Sequence, residues 1–260
     1  MPTPLIFFER KKKNKTVNNN TETCKTYCTM SEGDLSIGQR LYFAHAESLS
    51  LFYKNNLNEN YKKYVNTIVD TIISKDQLQE SNGTIYFISC GKTLTVCNKI
   101  SAMLNSLDIS SRSLNANECL HGDIGTIDVN NERNIVFGVT ISGNTCEVIK
   151  CLDLLSKKKK RANHSKLAMI VGTKVCEMYE NSTKWNVHPS QQIVLNYDGI
   201  IKDNEFYKGI KAPTLSLQLL YLYMDCLFLD VIDLANKDDI DNMAERFLVN
   251  HPSGGLAKKH

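Results

Sequence analysis

The spacing of apolar residues along the chain changes several times, and each change marks an element. Leu35, Ile37, Leu41, Phe43, Ala44, Leu51 and Phe52 recur near helical spacing. Tyr61, Tyr64, Val65, Ile68, Val69 and Ile72 do so again after an Asn-rich break, so two amphipathic helices are predicted. Residues 84–89, Thr-Ile-Tyr-Phe-Ile-Ser, form instead a short continuous β-branched and aromatic run, the pattern of a strand covered on both faces. Residues 96–107 read as a helix, 134–140 as a second buried strand, 145–155 as a helix and 167–171 as a third strand. A stretch without clear period from 180 to 192 precedes a further strand at 193–197, and helices at 215–234 and 239–249 close the chain. This alternation predicts an α/β fold, a doubly wound parallel sheet flanked by helices, whose ligands sit at the carboxyl ends of the strands.

Composition narrows the picture. Residues 1–33 are rich in Lys, Asn and Thr without apolar period and read as a flexible basic and polar tail, leaving 34–260 as one domain. With 42% apolar residues that domain can bury a full core. The net charge of +3 is small, and the basic runs at 10–15 and 157–161 lack interleaved aromatics, so they read as solvated loops and a nucleic-acid partner is not expected. Nine cysteines, an odd number, fall largely in apolar segments, as at Cys90, Cys97, Cys151 and Cys226. They read as small buried hydrophobes in a reducing compartment, which predicts a cytoplasmic protein. Cys24 and Cys28 have no second pair with ligand spacing, so no metal site is expected. The apolar run 5–8 is too short for a secretory signal. The one at 215–232 is interrupted by Asp225 and Asp230 and reads as a buried helix rather than a membrane span.

Two loops carry candidate chemistry. Gly91-Lys92-Thr93 follows the first strand and precedes a helix, where free backbone N–H groups and a lysine favour an anion. A nucleotide-binding P-loop is excluded, because Tyr86 stands where that motif needs its first glycine. Ser142-Gly143-Asn144-Thr145 repeats the arrangement after the second strand, although the same residues make an ordinary helix cap. Glu147, one turn into that helix, reads equally as a functional carboxylate or as a complement to the helix dipole. His121 and His251 precede glycine-containing turns and read as structural or as functional.

Taken in order, these segments resemble the arabinose-5-phosphate isomerases of the sugar isomerase (SIS) domain superfamily, from about Gly83 to the C-terminus. The matching pieces are Gly91-Lys92-Thr93, the segment 118–125 around His121-Gly122-Asp123, Ser142 to Glu147, Glu205 ahead of Ala212-Pro213-Thr214, and His251-Pro252-Ser253-Gly254-Gly255. The resemblance implies a flavodoxin-like three-layer sandwich in a short form lacking the regulatory CBS pair, with no cofactor. It implies reversible conversion of D-ribulose 5-phosphate into D-arabinose 5-phosphate through an enediolate. Carried over by position, the catalytic residues become Lys92, Glu147, Glu205 and His251, with Gly91, Thr93, His121, Ser142, Gly143, Asn144, Thr145, Thr214 and Ser216 around the substrate phosphate. A homo-oligomer, dimer or tetramer, is also implied, with His251 serving a neighbour's pocket. Ile141 where relatives carry Asn, Leu215 in place of a hydroxyl residue and Ser253 in place of glycine depart from the pattern. They keep open a second reading, a non-catalytic module that senses a sugar phosphate and regulates a partner.

Overall fold

The computed structural model describes residues 36–73, 83–158, 165–200, 202–203, 214–237 and 240–251. The tail at 1–33, Glu205 and the turn from Pro252 to Gly255 lie outside these residues.

Two helices lead. α1 (Ile37–Asn56) begins at a capping box in which the Gln39 N–H donates to Ser36 Oγ and the Ser36 N–H to Gln39 Oε1. α2 (Glu59–Ile72) starts at Asn58, whose side chain accepts from the Asn60 N–H. The sheet then forms from β1 (Ile85–Ser89), β2 (Ser111–Asn115), β3 (Ile135–Thr140), β4 (Lys166–Val171) and β5 (Gln192–Val194). All pairs are parallel and the spatial order is β2-β1-β3-β4-β5. The intervening helices are α3 (Gly91–Ser106), α4 (Ala116–Leu120), α5 (Cys146–Lys158) and α6 (Glu177–Glu180), and α7 (Leu215–Ala235) and α8 (Ile240–Asn250) follow the sheet.

β1 and β3 are buried at every position, which is why they read as continuous apolar runs. Alternate side chains serve two cores. Ile85, Phe87, Ile135, Phe137 and Ile170 face α2, α3 and α7. There the Phe228 ring stands edge-on to those of Phe87 and Phe137, with centroids 5.1 and 5.9 Å away. Tyr86, Ile88, Val136, Leu167 and Met169 face α4, α5 and Trp185. A three-layer α/β sandwich results. α7 is long and apolar enough to cross a membrane by length and composition, with a mean hydropathy of 1.6, but half of that window is buried inside the protein. It serves as the central helix of the first core.

Several elements differ from the sequence expectation, among them α4 and α6, helices too short to show an apolar period. β2, Ser-Arg-Ser-Leu-Asn, is absent from that expectation, because an edge strand pairs on one side only and needs no apolar run; Ser111 is its single fully buried residue. α3 begins at Gly91 rather than Val96, since its first turn is polar and carries no apolar period. β5 stops at Val194, three residues short of Tyr197.

Candidate functional site

The chain turns opposite ways out of β1 and β3: β1 leads to β2 on one side, β3 to β4 on the other. In an open parallel sheet the crevice outside the carboxyl ends of two such strands is the ordinary ligand position. Both candidate loops open there, because Gly91-Lys92-Thr93 follows β1 and Ser142 to Thr145 follows β3.

On the β1 side, Gly91 opens α3 with φ +58, a conformation that glycine adopts without strain. Cys90 occupies the cap position and makes no side-chain cap bond, so no side chain of that residue covers the leading amides of α3. Lys92 is exposed, and its carbonyl accepts from Thr95 Oγ1 at 2.7 Å. Thr93 is half-buried beside it.

On the β3 side, Gly143 has φ +67, and a Cβ there would lie 2.2 Å from Cys176 Sγ, so the loop requires glycine for both conformation and space. The hydroxyls form a small cluster, with Thr140 Oγ1 2.7 Å from Thr145 Oγ1 and 3.3 Å from Ser142 Oγ. Ser142 Oγ also accepts from the Asn144 N–H. The loop is braced from β4's side: Asn144 Oδ1 accepts from the Glu177 N–H and the Gly143 carbonyl from the Met178 N–H. The Asn144 side-chain oxygen is thereby engaged in positioning the loop.

Glu147 is the second residue of α5, in its first turn, and half-buried. Its own backbone N–H and then the Cys146 thiol hold its carboxyl below the ordinary value; burial opposes them, and nearby Lys150 adds the smallest part of the lowering. The Cys90 thiol is pushed up by burial and then by the charges of Glu147 and Cys146. Cys90, at the cap of α3, thus feels the charge of Glu147 across the mouths of β1 and β3. The sequence does not single out Cys90 and Cys146 as chemistry, since neither has a partner at a recognisable spacing.

The remaining predicted residues are placed elsewhere or otherwise engaged. His121 is exposed at the carboxyl end of α4, downstream of β2. Thr214 and Ser216 start α7, but their groups are taken up by Asp203. Its Oδ1 accepts from the Thr214 N–H at 3.1 Å, Thr214 Oγ1 at 3.0 Å, the Leu215 N–H at 2.7 Å and the Ser216 N–H at 3.3 Å. Asp203 Oδ2 accepts from Ser216 Oγ. Sequence reasoning misses Asp203 because a helix cap is sought next to the helix, whereas this carboxylate comes from eleven residues upstream.

His251 packs its ring on Phe247 with centroids 4.1 Å apart, and its Nδ1 lies 2.7 Å from the Phe247 carbonyl. The adjoining Asn250 donates to the Ser106 carbonyl and to Asp108 at the carboxyl end of α3. Lys92 is fourteen residues earlier on that helix, about 21 Å away at the α-helical rise. One chain therefore brings Lys92 and Glu147 to the crevice and leaves His251 at the far end of α3. Among the described residues no group of three His, Cys, Asp or Glu could hold a metal ion.

No protein-family model and no curated protein matches the sequence. Solved structures share the fold. A candidate sugar-phosphate isomerase from Listeria monocytogenes is 16% identical over 84% of this chain and 95% of its own, with a TM-score of 0.59. Protein c3406 of E. coli CFT073, solved in complex with arabinose 5-phosphate, is 18% identical over 86% of this chain and all of its own, with a TM-score of 0.58. The sugar isomerase domain of the RpiR transcription factor from Sphaerobacter thermophilus is 12% identical over 82% and 94%, with a TM-score of 0.52. The chain thus shares the fold of these structures.

Proposed function

We propose that the chain is a sugar-phosphate aldose–ketose isomerase, and that its reaction is the interconversion of D-ribulose 5-phosphate and D-arabinose 5-phosphate in the cytosol. The observation that carries the reading is the placement of Lys92 and Glu147 at the starts of the two helices that flank the β1/β3 crevice. The substrate phosphate is held by the amides and hydroxyls of Gly91, Thr93, Ser142 and Thr145 at two helix amino termini. Lys92 anchors the open-chain sugar and stabilises the negative oxygen of the enediolate. Isomerisation needs a carboxylate to carry the proton between C1 and C2. A carboxylate held below its ordinary pKa is a weaker proton acceptor, which favours Glu205 as that base and Glu147 as a standing negative charge that orients Lys92. The fold of c3406, a protein solved with arabinose 5-phosphate, supports the substrate class.

His251 takes part only if another subunit supplies it. Exposed Tyr42, Leu49 and Tyr53 on α1 and Tyr221, Leu222 and Leu229 on α7 favour such a homo-oligomer.

A second reading, a sugar-phosphate sensor without turnover, is favoured by the occurrence of the fold in a transcription factor. One experiment separates the two. Ribulose 5-phosphate incubated with the protein in deuterated water gains deuterium at the proton-transfer carbon if the chain is an isomerase; tight binding with no exchange identifies the sensor.

A further inference from the structure

The layer on the α4 and α5 side of the sheet holds a pair of cysteines that the crevice does not use. Cys119 belongs to α4 and Cys151 to α5. Both are thiols, buried in the same apolar core, with Cys119 1% and Cys151 0% exposed. Cys151 Sγ lies 3.4 Å from the carbonyl of Ala116, 35 residues away in sequence and one turn before Cys119 on α4. Helix packing thus sets one thiol against the stretch of α4 that carries the other, and the two are hydrogen-bonded to each other.

A buried cysteine otherwise behaves as a small apolar side chain. Cys97, fully buried in the opposite core, is such a residue, and its neighbour there is the Ser89 hydroxyl. The contact of thiol with thiol in the α4 and α5 layer is different. A disulfide needs sulfurs about 2 Å apart and Cβ atoms about 4 Å apart, and thiols in hydrogen-bond contact lie within a small side-chain movement of that geometry. The shared proton also decides which sulfur reacts first. The hydrogen bond with Cys151 holds the Cys119 thiol below the ordinary range, against burial and the charge of Asp123, while the Cys151 thiol is pushed up by the same bond and then by burial. The thiolate is the nucleophile, which gives Cys119 the first step. Its neighbours Glu118 and His121 are exposed and α4 has only five residues, so a local opening of that short helix admits a small oxidant.

We infer that Cys119 and Cys151 form a reversible modification site, a thiol pair that hydrogen peroxide converts into a disulfide tying α4 to α5. The Cys119 thiolate attacks one peroxide oxygen and the O–O bond breaks. Cys119 becomes a sulfenic acid, and the other oxygen leaves as hydroxide and is protonated to water. The Cys151 sulfur then displaces the sulfenic hydroxyl, which leaves with the Cys151 proton as a second water as the S–S bond forms. Each sulfur loses one electron, and the peroxide oxygens gain both. The bond fixes the packing of α5, the helix whose first turn carries Glu147, and a dithiol reductant undoes it. The inference is independent of the sugar-phosphate reading.

Peptide mapping of the full chain tests it, because trypsin puts Cys119 on 113–133, Cys151 on 151–157, and Cys90, Cys97 and Cys146 each on a separate peptide. The folded, reduced chain is treated with peroxide raised until exposed Cys146 is oxidised, then unfolded in an alkylating reagent, digested without reductant and weighed by mass spectrometry. Peptides 113–133 and 151–157 are expected to be joined, lighter than their sum by two hydrogens, and to separate on treatment with dithiothreitol, while Cys97 is recovered as an alkylated thiol. The oxidised chain is expected to melt at least about 5 °C higher than the reduced one, since the bond closes a long loop. Cys119→Ala should lose both the joined peptide and the gain in melting temperature; if that variant does not fold, the wild-type map decides alone. Recovery of Cys119 and Cys151 as alkylated thiols when Cys146 is oxidised overturns the inference. So does Cys119 as a lone sulfinic acid beside an alkylated Cys151, or either cysteine joined to a different partner.

Discussion

The starts of α5 and α7 are both built from small hydroxyl residues, and in sequence both read as places for a phosphate. Ahead of α5, the hydroxyls of Thr140, Ser142 and Thr145 bond to one another, and among the described residues no carboxylate closes on them. At α7 the hydroxyls of Thr214 and Ser216 are gathered by Asp203. Serine and threonine at a helix start declare that donors need an acceptor, without saying whether the acceptor belongs to the ligand or to the chain. The answer is set by what the tertiary structure brings to the site, and at α7 it brings a residue that local spacing does not connect to the helix.

The sharpest way to break this contrast is to remove one group from each end. Lys92→Ala strikes the open crevice and is expected to lower turnover of ribulose 5-phosphate by about a thousandfold, with the far-ultraviolet circular dichroism and melting temperature retained. Thr214→Ala strikes the clasped end. It is expected to cost about 1 kcal/mol of stability, read as a melting temperature about 2–4 °C lower, because the Thr214 hydroxyl no longer donates to Asp203. Should Lys92→Ala alter melting and leave turnover intact while Thr214→Ala does the reverse, the assignment of the two ends is inverted.

Gly143→Ala tests whether the open end depends on the loop that shapes it. The substitution demands a positive φ from a residue with a Cβ and sets that Cβ against Cys176. A loss of about 2–4 kcal/mol is expected in urea denaturation, with weaker binding of inorganic phosphate as the loop shifts. Cys176→Ala in the same chain should recover part of the loss by relieving contact, but not the part due to conformation. Full recovery would show that space alone had fixed the glycine.

These cases also mark what is legible beforehand. β1 and β3 are clear from sequence because burial on both faces leaves an unbroken apolar run, and their positions alone place Lys92 and Glu147 at the crevice. β2 is hidden, since pairing at an edge is a backbone interaction that polar side chains tolerate. The doubly wound order follows from alternation, yet the orientation of the final helices does not. Asn250 binds the carboxyl end of α3 through contacts 142 and 144 residues apart in sequence, and that docking sets His251 away from Lys92. Motif order reports which residues a fold contains, and separations of this size decide which of them meet.

The smallest expected effect concerns the one carboxylate that the open end does possess. Glu147, in the first turn of α5, is bonded to its own N–H and to the Cys146 thiol, and so meets a bound anion mainly through its charge. Because its pKa is depressed, Glu147 stays ionised through neutral pH and takes up a proton only as the pH falls below the ordinary carboxylate range. The sign follows by linkage, since an anion bound nearby favours the protonated form and protonation in turn favours the anion. Sulfate, which does not titrate in this range, is therefore expected to bind the wild-type protein with a flat affinity from pH 7 to about pH 5 and to gain only at lower pH. Glu147→Gln should bind it about twofold more tightly at neutral pH, the modest change expected of a single solvated charge near a helix terminus. The gain should shrink as the wild-type carboxyl is protonated. A neutral-pH gain of about tenfold or more would mean that Glu147 occupies the anion's own donors as Asp203 does, and the two helix starts would then differ in degree rather than in kind.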